Sequence, residues 1–173
     1  MRKIILNLAM SIDGYILDKE GTYDWIKGDG DESLNTPELF HFSKFLDSLD
    51  IIVMGRKSYE DIGVDDYKNK RIIVATKKQI ENYDNVEFVG ENVVDHICSL
   101  QKQDGGDIWL FGGGVLVDAF LKADVINTFI IGIIPILLGN GTPMFYKDIP
   151  RTRLHLDKYN IHEGVTVLEY SRR

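Results

Sequence analysis

Apolar and polar positions along this chain fall into short segments of two kinds. Ile4–Met10 is an apolar run interrupted only by Asn7, and it predicts a buried strand. Residues 17–36 are polar and glycine-bearing, a long loop of the kind that carries function. From Pro37 to Leu49, residues Leu39, Phe42, Phe45, Leu46 and Leu49 recur at helical spacing and predict a helix. Short apolar runs at 51–54, 71–75, 86–89 and 126–134 predict strands. Between them, 56–62 and 93–103 read as helices and 77–83 as a helical turn. Residues 154–161 and 165–170 alternate around His162-Glu163-Gly164, which predicts a hairpin. Alternating strands and helices with fully apolar central strands mean an α/β protein, and no repeat or linker divides 1–173. The expected architecture is a central, mostly parallel sheet with helices on both faces, finished by a C-terminal antiparallel hairpin. Ligands in such sheets bind beyond the carboxyl ends of the strands.

One segment changes this picture from fold to function. The apolar run Asp107–Phe111 stops at Gly112-Gly113-Gly114, and Leu116, Ala119 and Phe120 then follow at helical spacing. A strand, a glycine turn and a helix in that order let a phosphate approach the backbone, where helix N–H groups and a partial positive charge await it. A glycine turn without a ligand has the same pattern. The third position of a dinucleotide fingerprint is Val117 rather than glycine.

Composition narrows the possibilities. The chain has 173 residues, 44% of them hydrophobic, enough for one well-buried domain. No apolar stretch approaches the roughly 18 residues of a membrane span. A single cysteine, Cys98, forms no disulfide framework and suits a reducing cytoplasm. The four histidines have no metal-ligand spacing. A net charge of −7 disfavours nucleic acid as a partner.

Against that acidic background, cations at two further strand ends stand out. Gly55-Arg56-Lys57-Ser58 and Thr76-Lys77-Lys78 each place basic residues at a helix start, where the macrodipole opposes them unless an anion is bound. Solvated side chains are the alternative, and Thr76 with Gln79 also has capping-box spacing. Three such strand ends favour a dinucleotide with an extra phosphate, NADPH over NADH. On the substrate side, Asn7 is an amide within an apolar strand, a ligand for a heterocycle or a satisfied core asparagine. Trp25 could close over a flat ligand or pack within its loop. Asp13 reads as a turn stabiliser. Glu38, after Pro37, sits in the expected first helical turn with Phe42 one turn on, so the pair would share a face.

The order of these motifs resembles the dihydrofolate reductase superfamily, and more closely its riboflavin-biosynthesis reductase branch. That branch includes the C-terminal reductase domain of the bifunctional deaminase/reductase and its stand-alone relatives. The residues that carry the resemblance are Ser11–Ile16, Met54–Glu60, Ile108–Gly114 and Pro135–Phe145, spread over essentially the whole chain. The resemblance implies a dihydrofolate reductase-like sheet, a cis Gly112–Gly113 peptide and a homodimer. It implies that Gly55, Arg56, Lys57, Ser58, Thr76 and Lys77 hold the adenosine 2′-phosphate side of NADPH. Gly112, Gly113, Gly114, Val115 and Leu116 would hold the pyrophosphate, with Ala9 and Ile16 flanking the nicotinamide. Asn7, Trp25, Glu38 and Phe42 would meet the substrate, with Glu38 or water as the proton source. The implied activity is NADPH-dependent reduction of a small heterocycle, most like 5-amino-6-(5-phosphoribosylamino)uracil. Dihydrofolate reduction and non-catalytic NADPH binding are the alternatives.

Overall fold

A computed structural model describes residues 1–173. Its strands are β1 (Ile4–Ser11), β2 (Tyr15–Leu17), β3 (Leu49–Gly55), β4 (Arg71–Ala75), β5 (Val86–Val89), β6 (Asp107–Gly112), β7 (Thr128–Ile134), β8 (Thr142–Pro143), β9 (Leu154–His162) and β10 (Val165–Arg172). Its α-helices are α1 (Phe42–Asp47), α2 (Arg56–Ile62), α3 (Val93–Gln101) and α4 (Gly114–Lys122). Eight strands form one sheet in the order β5-β4-β3-β6-β1-β7-β10-β9. The first six run parallel, and the β9–β10 hairpin closes one side antiparallel.

Both faces of the sheet are covered. On one, Val93, Ile97 and Leu100 of α3 and Leu116, Val117 and Phe120 of α4 pack on Ile4, Leu6, Val53, Ile73 and Leu110. On the other, Phe45 of α1 packs with Ile5, Ile52, Met54, Ile72 and Trp109. Each fully buried aliphatic side chain contributes about 1.5–3 kcal/mol. That is why apolar residues, chiefly Ile, Val and Leu, fill the buried positions of the central strands.

Two differences from the sequence reading have clear causes. The helix expected from Pro37 forms only at Phe42–Asp47. Thr36 pairs with Ile161 of β9 through both its N–H and its hydroxyl, and the Glu38 carbonyl accepts from the Asn160 amide at 2.7 Å. Residues 36–38 are therefore tied to the hairpin before a helix can start. The segment 77–83 is not helical, because the Lys78 N–H donates to the Thr76 hydroxyl in a local turn at 3.1 Å. Strand β7 lies inside the sheet between β1 and β10.

The small β2–β8 ribbon had no legible signal, since its strands are three and two residues long. It joins the segment after β1 to the 135–145 segment. Asp13 reinforces the junction by accepting from the Ser11 hydroxyl and from the N–H groups of Leu138 and Gly139.

Candidate functional site: a cleft at the carboxyl ends of the strands

The parallel register aligns the ends of three neighbouring strands. Gly55 pairs with Ala75, and Met54 with Gly112. The segments leaving those ends surround a cleft of about 900 Å³. Every position expected to meet the cofactor lines it: Ala9, Ile16, Gly55, Arg56, Lys57, Ser58, Thr76, Lys77, Gly112, Gly113, Gly114, Val115 and Leu116.

The floor of the cleft is backbone. The Gly112–Gly113 peptide is cis, and Gly112 has φ +130°, a conformation that side chains disfavour. A Cβ on Gly113 would lie 3.6 Å from the Ser58 hydroxyl, so α2 and the glycine turn face each other closely. A Cβ on Gly114 would come within 3.1 Å of the Tyr146 ring and hydroxyl. Gly113 caps α4 without any side-chain hydrogen bond. The first N–H groups of a helix have no partner within it, so this end offers donors to an anion.

The cations are more engaged than their spacing suggested. Arg56 is paired with Glu60 one turn along α2, and Lys77 Nζ lies 3.4 Å from Glu91 Oε1. Lys57 has no carboxylate partner, and its ammonium lies across the cleft against Gly21 of the 17–36 loop. That loop contributes Tyr23 and Ile26 to the lining, which also takes in Phe111, Ile62, Thr142 and Tyr146. Sequence reading missed these six. Phe111 and Ile62 were legible only as apolar element positions. Tyr23 and Ile26 lie in a loop without periodicity, and Tyr146 reaches the site through the β2–β8 ribbon.

The expected substrate residues are not brought together. Trp25 is 7% exposed and donates its indole N–H to the Thr22 carbonyl at 3.2 Å. It is the anchor of its own loop rather than a cover for a ligand, because a buried indole is most stable with its N–H satisfied. Phe42 stands edge-on to Trp109 at 5.6 Å and packs beside Phe45, outside the cleft lining. Asn7 holds the Trp109 indole N–H through its backbone carbonyl at 3.2 Å, while its side-chain amide makes no hydrogen bond within the chain.

Glu38 departs furthest from expectation. It precedes the helix rather than opening it, and lines a separate hollow of about 580 Å³ with Lys3, Asp107 and Thr128 at the amino ends of the strands. Its carboxylate is 3.0 Å from Lys158, and that hydrogen-bonded ammonium holds its pKa below the usual value. Desolvation would have raised it; an exposed ion pair does the reverse.

Comparisons with known proteins agree with this geometry. The RibD C-terminal domain family matches residues 60–167. YwjB of Bacillus subtilis, described as uncharacterized, is 34% identical over 163 residues, spanning 90% of this chain and 89% of its own. A Shewanella structure described as a candidate riboflavin biosynthesis protein is 29% identical, with a TM-score of 0.80, covering 100% of this chain and 99% of its own. Dihydrofolate reductase from Enterococcus faecalis, complexed with NADP(H), shares the fold at a TM-score of 0.62 and 17% identity, covering 99% of this chain and 96% of its own. With its glycine turn and flanking cations at the carboxyl ends of a dihydrofolate reductase-like sheet, the chain belongs to the RibD C-terminal domain family.

Proposed function

We propose that the protein is an NADPH-dependent reductase of a small heterocyclic substrate, of the 5-amino-6-(5-phosphoribosylamino)uracil reductase type. The observation that carries this reading is the cleft itself. A glycine turn, an uncapped helix start and three cations are arranged along one continuous surface. Bound there, a nicotinamide would supply the hydride chemistry. The chain's residues would fix the geometry of that transfer. Backbone N–H groups at the start of α4 and the Ser58 hydroxyl would hold the pyrophosphate. Arg56, Lys57 and Lys77 would receive the 2′-phosphate, and Ala9 and Ile16 would bound the nicotinamide. Tyr23, Ile26 and Phe111 would exclude water from the reacting atoms. Asn7, one alternation before Ala9 on β1, lies outside the cleft lining and is assigned no contact with the substrate.

Dihydrofolate reduction, the activity the wider superfamily suggests, calls for an acid beside the heterocycle, and Glu38 lies outside the cleft. Proton delivery by water fits this site better. That same displacement of Glu38 favours, as a second reading, cofactor binding without catalysis. We further propose that the protein acts in the cytoplasm as a homodimer. With β7 enclosed in the sheet, the dimer rests on the resemblance alone, and a monomeric mass by light scattering would remove it. No helix is long and apolar enough to cross a membrane.

The deciding experiment follows NADPH oxidation with a panel of the phosphoribosylamino-uracil, dihydrofolate and simple pterins. Turnover of the first alone supports the proposal. Turnover of dihydrofolate at comparable efficiency would reassign the substrate, and tight NADPH binding with no turnover would support the non-catalytic reading.

A further inference from the structure

We infer that Glu91 sets how strongly the cleft discriminates NADPH from NADH, by competing for Lys77, so that the protein accepts both cofactors. The inference rests on the reductase reading above. Glu91 lies two residues beyond the end of β5 and lines the cleft with Arg56, Lys57 and Lys77. At the end of a strand in an open α/β sheet, a carboxylate accepts hydrogen bonds from the ribose hydroxyl of NADH. Cations at such a place accommodate the 2′-phosphate of NADPH. This cleft carries both devices, and they touch: Lys77 Nζ is 3.4 Å from Glu91 Oε1.

The backbone makes the pairing more than a chance meeting of long side chains. The Thr76 N–H donates to the Val89 carbonyl at 2.9 Å, and a Cβ on Gly90 would lie 4.0 Å from the Thr76 carbonyl. The segments leaving β4 and β5 are thus locked side by side, with Lys77 and Glu91 on adjacent positions. The same end of the cleft holds two more carboxylates, Glu60 on Arg56 and Asp61 in the lining. Two of the three cations are therefore paired, Arg56 with Glu60 and Lys77 with Glu91, and Lys57 is without a carboxylate. An entering 2′-phosphate must take Lys77 from Glu91 and then tolerate that carboxylate as a like charge. A ribose hydroxyl meets no repulsion and gains an acceptor.

The test is calorimetric titration of NADPH and NADH into the wild type and Glu91→Gln, at low and physiological salt, with thermal melts to confirm folding. The wild-type dissociation constants are expected within about tenfold of each other. Glu91→Gln keeps the shape and removes the charge. It should tighten NADPH roughly three- to tenfold, the range of one or two exposed charge interactions. NADH should stay unchanged or weaken, and the NADPH gain should shrink as salt rises. A folded Glu91→Gln variant with the wild-type ratio of affinities would overturn the inference and leave the reductase reading standing. A wild type that binds neither cofactor would overturn both.

Discussion

The two ends of the parallel sheet both carry a hollow lined with charged residues, yet they are built differently. At the amino end, Glu38 pairs with Lys158, and the Lys3 N–H donates to Asp107 at 2.7 Å. Only that one ion pair joins its charged residues, and the backbone lining it has neither a glycine turn nor a left-handed φ. At the carboxyl end, the wall is glycine backbone with a cis peptide, a positive φ and an uncapped helix, and one lysine without a carboxylate partner. Charged lining alone does not mark a site. What separates the two ends is backbone donor capacity left open by residues that have no side chain to fill it.

Filling that backbone should produce the largest effect. In Gly112→Val a branched side chain would be forced to φ +130° beside Leu8, at a cost of about 1–3 kcal/mol in stability. NADPH binding should fall below detection by fluorescence titration, and Tm should drop. A variant that still binds NADPH normally would erase the distinction between the two ends.

Removing one cation at the carboxyl end comes next. Arg56→Ala should weaken NADPH by roughly tenfold, about 1.4 kcal/mol, the low side of a charge-assisted contact because Glu60 already engages the guanidinium. NADH should change much less. Equal losses for both cofactors would move the phosphate elsewhere.

The smallest effect is expected at the amino end. Glu38→Gln should leave NADPH affinity and turnover unchanged, since its carboxylate faces Lys158 outside the cleft. The one readout that should move is acid stability. The Glu38 pKa is depressed in the folded protein, so its contribution is present above the ordinary value of 4.5 and is lost as pH falls through the folded value. The variant should therefore show a slightly flatter loss of Tm below about pH 4.5 than the wild type. A large drop in turnover at neutral pH would return Glu38 to the chemistry.

Much of this molecule was legible in one dimension because local physics decided it. Apolar runs such as Ile51–Met54 and Arg71–Ala75 can only be buried strands, and the periodic faces of 93–101 and 114–122 can only be helices on a sheet. The glycines and cations at the strand ends were legible from the same local pattern, and the resemblance supplied the cofactor roles expected of them. Tertiary structure decided the rest. The apolar periodicity of 37–49 suited a helix, but hydrogen bonds from β9, more than a hundred residues away, hold 36–38 and move Glu38 to the opposite end of the sheet. Trp25 looked equally suited to covering a ligand or packing its own loop, and only the closure of that loop chose. β7 is an inner strand only because β10 is laid beside it. The sequence by itself determined most of the strands and helices and where glycines end a strand, because those depend on neighbours within a few residues. Which side chains share a site, and which cations already have partners, depended on contacts between segments distant in the chain, and no local pattern encodes those.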